Sequence, residues 1–244
     1  GYGQVIIMNT ENLVISNSNI SEMGVLVTNC TGLNFSNNNI STNELGQGRG
    51  ITGYRLMNSN IENTRFTTKA DAIEILYSDG NNLTNNIIEI RADYGSMYGI
   101  RISTGDDNRL EHNKVTTPET SSYYDSNPPI NIDGDTSSRD ANSNYLNNNS
   151  VYAYGERNGY GIYITGTAHD TIINNSYIEV LGSTTNNFGV YSASYTANTT
   201  IYNSVINASN NYDVRGWNHD GTSWIKLVNC TWNEANGAAN NSEF

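Results

Sequence analysis

The residues with the chemistry for catalysis or metal binding are two groups of aspartates. Asp106 and Asp107 form one group, with His112 nearby, and Asp133 and Asp135 form the other. Two carboxylates that flank a glycosidic bond are the catalytic pair of most glycoside hydrolases. Carboxylates on adjacent turns can also bind Ca²⁺. The alternative interpretation is that both groups are solvated turn residues, because no accompanying motif assigns them a catalytic role.

A six-residue pattern, apolar-x-Asn-x-x-apolar, recurs along the chain and indicates a stacked-repeat fold. No helical 3.6-residue pattern fills the space between the copies. One coil cannot bury its apolar face alone, but stacked coils share a continuous core. We therefore predict an all-β fold, a right-handed parallel β-helix (a solenoid) of about nine coils. It forms a single domain over residues 1–244, with an irregular last coil and tail over residues 212–244. The copies begin at Ile15, Phe35, Leu56, Leu83, Leu110, Leu146, Ile173, Ile201 and Leu227.

The third residue of this pattern is predicted to form an internal polar ladder. It is Asn in every copy except one, where it is His112. An Asn amide both donates and accepts hydrogen bonds, so Asn stacked on Asn at the strand spacing can bond from coil to coil. We therefore expect these residues to be buried. The predicted ladder comprises Asn17, Asn37, Asn58, Asn85, His112, Asn148, Asn175, Asn203 and Asn229.

Short strands open most coils, and their alternation predicts which side chains face outward. In Gly161-Ile162-Tyr163-Ile164 and its counterparts, the second and fourth residues point inward and the third points outward. The third coil, from Gly50 to Tyr54, fits this pattern poorly. The predicted outward column is Leu26, Glu74, Arg101, Asn131, Tyr163, Tyr191 and Arg215.

The Gly-Ile-x-Ile…Asn-Asn-x-Ile texture resembles the NosD-like repeats of archaeal and bacterial surface proteins, within the pectate-lyase-like superfamily. The resemblance covers nearly the whole chain and implies a parallel β-helix. It also implies that the outward strand face corresponds to the sugar-binding groove of the enzymes in this superfamily. Arg101, Tyr163, Tyr191 and Arg215 are therefore candidate ligand-binding residues, because arginines and aromatics suit a sugar or uronate surface. Ordinary cross-strand pairing on an exposed sheet is the alternative.

The enzyme motifs of this superfamily are missing from the sequence. Polygalacturonases combine paired aspartates with a histidine, as Asp106, Asp107 and His112 do, but Gly-His-Gly and Arg-Ile-Lys are absent. The Arg-x-Pro-x-x-Arg motif of the lyases and the Asp-Pro-His-Asp motif of the mannuronan epimerases are absent too. The scattered histidines form no metal site by spacing, so the copper associated with the NosD name has no ligand cluster. We expect no required cofactor, with Ca²⁺ at the aspartates as the alternative, and a non-enzymatic protein is favoured over an enzyme.

Composition limits the partners and the location. The net charge of −12 argues against nucleic acid, and no apolar run approaches the length of a membrane span. Among the Asn-x-Ser/Thr sequons, Asn198, Asn207 and Asn240 are the best candidates for surface glycans. Cys30 and Cys230 fall in the second and ninth predicted coils, roughly 34 Å apart, whereas a disulfide needs Cα atoms within about 7 Å. They either pack as small thiols or join stacked subunits.

These features favour an extracellular structural protein at the cell surface. We expect a sheath, surface-layer or filament subunit that assembles with copies of itself by stacking and lateral contacts. The alternative is a β-helix that binds or processes polysaccharide, as a lyase, hydrolase or epimerase.

Overall fold

The computed structural model describes residues 4–42, 49–91, 97–118, 128–134, 140–154, 159–182, 187–193, 198–209, 212–217, 225–232 and 242–243. It confirms the predicted parallel β-helix. Each coil contributes a strand to sheet A, then to sheet B and then to sheet C, and every strand pairing is parallel in the part of the chain described. The same residues include no helix with the length and apolar character needed to cross a membrane.

Sheet A consists of Gln4–Met8, Gly24–Thr31, Ile51–Met57, Ile73–Leu76, Ile100–Ser103, Ile130–Asp133, Tyr160–Thr165, Phe188–Ala193 and Tyr212–Trp217. Sheet B consists of Val14–Ser16, Asn34–Ser36, Asn60–Glu62, Asn82–Thr84, Arg109–Glu111, Tyr145–Asn147, Ile172–Asn174, Thr199–Tyr202, Ile225–Val228 and Ser242–Glu243. Sheet C consists of Asn19–Ser21, Asn39–Ser41, Arg65–Thr68, Ile87–Ile90, Lys114–Thr117, Ser150–Tyr154, Tyr177–Leu181 and Val205–Ala208. A small fourth sheet pairs Ala141–Asn142 with Ala168–His169.

The core lies between the three sheets and is filled by aliphatic side chains stacked on their equivalents in adjacent coils. In sheet A, Ile73, Ile100, Ile130 and Ile162 are in register and fully buried. The first and last residues of the repeat pattern point inward from sheets B and C, and the pair Leu83 and Ile88 shows the arrangement. Burial of such columns supplies most of the stability, because each apolar side chain removed from water contributes about 1.5–3 kcal/mol.

An internal ladder is present, but it is not formed by the residues predicted for it. The predicted residues adopt left-handed backbone conformations, with φ of 56° at both Asn85 and His112, and they are exposed. Asn is among the few residues that tolerate this conformation, which explains its recurrence at an outer turn. Part of the exposed column is itself hydrogen-bonded, since Asn229 Nδ2 donates to Asn203 Oδ1 at 2.8 Å. The exposed positions are Asn17, Asn37, Asn58, Asn85, His112, Asn148, Asn175, Asn203 and Asn229.

The buried ladder is formed by the residue that follows, at the corner between sheets B and C. Asn113 Oδ1 accepts from both the backbone N and Nδ2 of Asn86 at 3.0 Å. Asn113 Nδ2 donates to the Leu83 carbonyl at 2.7 Å and to Asn149 Oδ1 at 3.2 Å. At the corner the backbone N–H and carbonyl groups no longer pair between strands, and each of these side chains supplies the hydrogen bonds that they would otherwise lack. We call this the B–C ladder, and its members are Asn38, Thr64, Asn86, Asn113, Asn149, Ser176 and Ser204.

A second buried ladder runs along the corner between sheets A and B. Asn81, Asn108 and Asn144 are each 0% exposed, and each accepts the backbone N–H of the residue one coil before it. The two corners share one design, in which a left-handed turn residue is followed by a buried polar residue. For this reason the sequence pattern placed the third repeat copy at Leu56, which precedes the corner between sheets A and B, and not at the corner between sheets B and C. In the third coil, the equivalent of the other copies begins at Ile61, and Asn63 occupies the exposed turn.

The structure describes both cysteines and two of the three candidate glycosylation sites. Both thiols are free, with Cys30 buried and Cys230 partly buried, so an intersubunit bond remains a prediction. Asn207 is exposed and Asn198 is half-buried, whereas Asn240 lies outside the described residues. Glycan attachment at these three positions also remains a prediction.

Candidate functional site: the outward face of sheet A

The outward face of sheet A carries one side chain per coil in a continuous column. Adjacent members pair directly, as Arg101 does with Asn131 and Tyr163 with Tyr191. The order is the one predicted from strand alternation. Thr52 also belongs to it, although its coil fits the strand pattern poorly. The column consists of Ile6, Leu26, Thr52, Glu74, Arg101, Asn131, Tyr163, Tyr191 and Arg215, of which Ile6 was not in the predicted set.

An ion-pair network occupies the middle of this face. The Glu74 side chain is only 3% exposed and lies between two guanidinium groups, those of Arg49 at 2.5 Å and Arg101 at 3.4 Å. Arg101 also contacts Asp133 at 3.0 Å, and Arg49 contacts Asp71 at 3.5 Å. Five charged side chains from four coils are therefore linked, and the buried carboxylate of Glu74 is at the centre. A buried charge of this kind is tolerated only when it is paired.

Burial also changes the protonation equilibria around this network. Desolvation raises the pKa of Asp71, against the lowering effect of a hydrogen bond from the backbone N of Tyr98 at 2.8 Å. The nearby charge of Glu74 raises the pKa of Asp71 further. Burial likewise raises the pKa of Tyr98, whose ring lies 5.1 Å from the guanidinium carbon of Arg101. Burial in the network therefore disfavours the charged form of the Asp71 carboxylate.

A polar cleft of about 400 Å³ opens beside Arg101, where the sheet A strands of the fourth to seventh coils end. Its two charged groups are Arg101 and Asp133, which pair with each other. The remaining lining is a tyrosine ring, hydroxyls and glycine backbone, so the cleft is suited to hydrogen bonding. The lining residues are Tyr77, Arg101, Ser103, Thr104, Asp133, Gly134, Thr165 and Gly166.

Three polar atoms of the column are buried without a hydrogen-bond partner in the described part of the chain. They are Thr52 Oγ1, Arg101 Nε and Asn131 Oδ1. Most buried polar atoms in proteins are paired, and an unpaired one destabilises the fold. These three unpaired polar atoms lower the stability of the fold, so their presence on this face of sheet A is not explained by a contribution to stability.

The far end of the face is a cluster of stacked aromatic rings. Tyr163 and Tyr191 stack at 5.5 Å, and Tyr160 stacks on both at 5.1 and 5.3 Å. Phe188 joins the stack, and the Arg215 guanidinium lies 5.1 Å from its ring centre. Burial, followed by the proximity of the other two tyrosines, raises the pKa of Tyr160 to about 12.

Ring stacking limits what this cluster can offer a ligand. Tyr191 is only 9% exposed, and the ring faces are largely directed at one another. A ligand would therefore meet ring edges, hydroxyls and the Arg215 guanidinium, and not open aromatic faces. Arg215 makes no ion pair with a carboxylate within the described ranges, unlike Arg49 and Arg101.

The aspartates singled out in the sequence are not brought together as a metal or catalytic site. Asp106 Oδ1 accepts the backbone N–H of Asn142 at 2.7 Å, Asp107 is an exposed turn residue with φ of 56°, and Asp133 pairs with Arg101. Asp135 lies outside the described residues. No three His, Cys, Asp or Glu side chains in the described ranges are grouped so that they could hold a metal ion.

Sequence reasoning missed several residues of this site, namely Arg49, Asp71, Tyr77 and Tyr98. Asp71 could have been noticed, because it is a carboxylate just before a strand whose outward residue, Glu74, the sequence analysis had already identified. Arg49 precedes a poorly matching strand and carried no such signal.

The family model described as "Periplasmic copper-binding protein (NosD)" matches residues 1–132, more than half of the chain. The chain belongs to the NosD family. No curated protein matches it in sequence.

Solved structures similar to this NosD-family chain share its fold at low sequence identity. A point mutant of the periplasmic alginate epimerase AlgG matches with a TM-score of 0.60 and 12% identity, over 98% of this chain and 69% of the other. Another AlgG structure has a TM-score of 0.55 and 12% identity, over 92% of this chain and 53% of the other. PfbA, a surface adhesin of Streptococcus pneumoniae, has a TM-score of 0.54 and 12% identity, over 95% of this chain and 64% of the other. At such identities the similarity establishes the fold alone.

The copper in the family description does not fit the residues that the structure describes. Copper sites are built from imidazole, thiolate or thioether groups that converge on one point. Cys30 and Cys230 lie at opposite ends of the helix, His112 is exposed at a turn, and no suitable group of side chains occurs in the described ranges.

Proposed function

We propose that this NosD-family chain is an extracytoplasmic protein that binds a polysaccharide along the outward face of sheet A. The observation that carries the proposal is the continuous column from Arg101 to Arg215, with a polar cleft of about 400 Å³ beside it. A polymer lying along the axis of the β-helix would contact the partly exposed side chains of Arg101, Tyr163 and Arg215, in coils stacked about 4.8 Å apart, whereas Asn131 and Tyr191 are nearly buried. The family description as periplasmic supports a location outside the cytoplasm, as does the surface location of the adhesin PfbA.

The proposal is binding, without bond cleavage, because the carboxylates on this face are already engaged. Glu74 is held between two arginines, and Asp133 pairs with one of them. A general acid or base must be free to exchange a proton with the substrate. AlgG acts on alginate, as its name states, and this makes alginate a reasonable first member of a test panel.

Replacement of Arg215 by glutamine is expected to lower the affinity for acidic polysaccharides at least about tenfold. Its guanidinium has no carboxylate partner in the described part of the chain, and a charge-assisted hydrogen bond contributes about 1.5–3 kcal/mol. Binding would be measured by isothermal titration with alginate, polygalacturonate, mannan and a β-glucan. Arg109→Gln is the matched control, because Arg109 also lies over a tyrosine ring, at 5.8 Å, but on sheet B. Equal losses in both variants, or no binding to any polymer, would contradict the proposal.

A second candidate function is a structural subunit of a sheath, surface layer or filament. It is favoured by the exposed apolar side chains of the first coil, where Ile6, Met8 and Val14 are 59%, 58% and 61% exposed. In this hypothesis these side chains contact a second copy of the chain. Electron microscopy of the purified natural material should then show ordered tubes, hoops or sheets, whereas discrete single particles would exclude self-assembly.

A further inference from the structure

In the first seven coils, equivalent positions toward the carboxyl end of sheet A form a column of mostly left-handed residues. Equivalent positions are connected from coil to coil, because Tyr77 N donates to the Ser103 carbonyl and Thr104 N donates to the Asp133 carbonyl. The φ angles are 53° at Arg55, 52° at Tyr77 and 55° at Thr104. In order, the column is Asn9, Asn29, Arg55, Tyr77, Thr104, Gly134 and Gly166, and all of these except Gly134 are left-handed.

The three central residues of this column are strained. Asn and Gly adopt the left-handed conformation at little cost, whereas bulky or β-branched residues rarely adopt it. The chain uses Asn at the first two positions, and it uses Asn at nearly every exposed turn between sheets B and C. Asn is therefore compatible with this position of the coil, so the left-handed conformation does not itself require Arg, Tyr or Thr there. Strained residues that persist in a fold are found preferentially at ligand sites.

Two of the three strained residues line the polar cleft, and the third does not. Tyr77 and Thr104 border the cleft, and the Tyr77 ring also packs edge-on against Tyr54 at 5.5 Å. Arg55 lies one coil earlier, away from the cleft, and packs its guanidinium over the same Tyr54 ring at 5.3 Å. The cleft continues over the next two members of the column, which are glycines. A Cβ at Gly166 would collide with the carbonyl oxygen of Gly134. Within the cleft, the column therefore presents the side chains of Tyr77 and Thr104 on one side and only the glycine backbone on the other.

The cleft has unused hydrogen-bonding groups and no net charge. The hydroxyls of Tyr77, Ser103 and Thr165 have no hydrogen-bond partner among the described residues, and none of these oxygens is buried without a partner. The two charged lining groups, Arg101 and Asp133, neutralise each other at 3.0 Å. An anionic group in the cleft would meet the Asp133 carboxylate. An aromatic ring beside hydroxyls and a paired carboxylate is suited to an uncharged, hydroxyl-rich unit.

We propose that this cleft is a subsite for one uncharged sugar unit, and that Tyr77 occupies a strained turn because its ring and hydroxyl contact that unit. The inference rests on the proposed polysaccharide binding and specifies part of it. The polymer would place a neutral sugar in the cleft, while its acidic groups would interact with Arg215 farther along the same face. Ser103, Thr165 and Asp133 supply the hydrogen bonds around the sugar.

The test compares Tyr77→Asn with Arg55→Asn, because both replacements relieve the same strain at adjacent positions of one column. Thermal unfolding should show both variants melting about 2–4 °C above the wild type. Titration with neutral oligosaccharides from mannan and β-glucan should show at least a tenfold loss of affinity for Tyr77→Asn and no change for Arg55→Asn. Thr165→Val is a second, independent test of the cleft, because it removes a lining hydroxyl without altering the strained residues. It should weaken binding while leaving the melting temperature unchanged.

The outcomes separate this subsite from the wider proposal. Wild-type affinity in both Tyr77→Asn and Thr165→Val would overturn the subsite while leaving polysaccharide binding intact. A loss confined to acidic oligosaccharides from alginate or polygalacturonate would overturn the assignment of an uncharged unit. If the wild-type protein binds no oligosaccharide of either kind, the proposed function itself fails.

Discussion

Replacement of Asn86 by alanine is expected to lower the free energy of unfolding by about 2–6 kcal/mol. Its Oδ1 accepts the backbone N–H of Thr64 at 3.0 Å, and its Nδ2 donates to the Ile61 carbonyl at 2.8 Å. Alanine would leave both backbone groups buried and unpaired, and each unpaired group costs about 1–3 kcal/mol. It would also interrupt the B–C ladder between Thr64 and Asn113.

The neighbouring residue offers a matched control for this replacement. Asn85 has the same side chain, but it is exposed and left-handed, with φ of 56°. Asn85→Gly keeps a residue that tolerates this conformation, so its effect should stay within about 0.5 kcal/mol. Urea unfolding of the two variants gives the midpoint and slope for each. Equal destabilisation by both changes would show that the exposed turn contributes as much as the buried ladder.

Replacement of Arg101 by methionine is expected to cost about 3 kcal/mol. The change removes one of two cations that hold the nearly buried Glu74 carboxylate, and it leaves Asp133 without its partner at 3.0 Å. The remaining arginine, Arg49, would then face Glu74 and Asp71 together. An incompletely compensated carboxylate in a desolvated site is the physical origin of the loss.

A double-mutant cycle separates the charge effect from the loss of packing. Adding Glu74→Met to Arg101→Met should recover part of the lost stability, because the buried charge and its missing partner are then removed together. The exposed pair of Arg65 and Glu89 is the control. It lies at 3.6 Å with side chains 55% and 36% exposed, so Arg65→Met should cost less than about 1 kcal/mol. A double variant less stable than Arg101→Met alone would refute a central role for Glu74 burial.

The architecture could be predicted because its main signal is local and repeated. Alternation in segments such as Ile162-Tyr163-Ile164 places one side chain outward and two inward, and nothing else in the chain has to be known. The parallel coils then bring equivalent positions together. For this reason the order from Arg101 to Arg215 on the face of sheet A was predicted correctly.

The ladder assignment failed by one residue because two physical requirements select the same amino acid. A left-handed exposed turn favours Asn for its backbone, and a buried corner favours Asn for its amide. In the doublets Asn85-Asn86 and Asn148-Asn149 these requirements fall on successive residues. Residue type alone cannot separate them. The corner between sheets A and B meets both requirements too, and this misplaced the copy at Leu56.

The sequence by itself determined the coil, its apolar inward positions and the outward column, since these depend on periods of a few residues. Only the tertiary structure decided which charged groups meet. Arg49 and Glu74 are separated by 25 residues along the chain, and Arg101 and Asp133 are separated by 32. The coils differ in length, so these pairs depend on the register of stacking and not on sequence distance. The cleft beside Tyr77 has the same origin, because its walls come from four successive coils that become neighbours only when the helix closes.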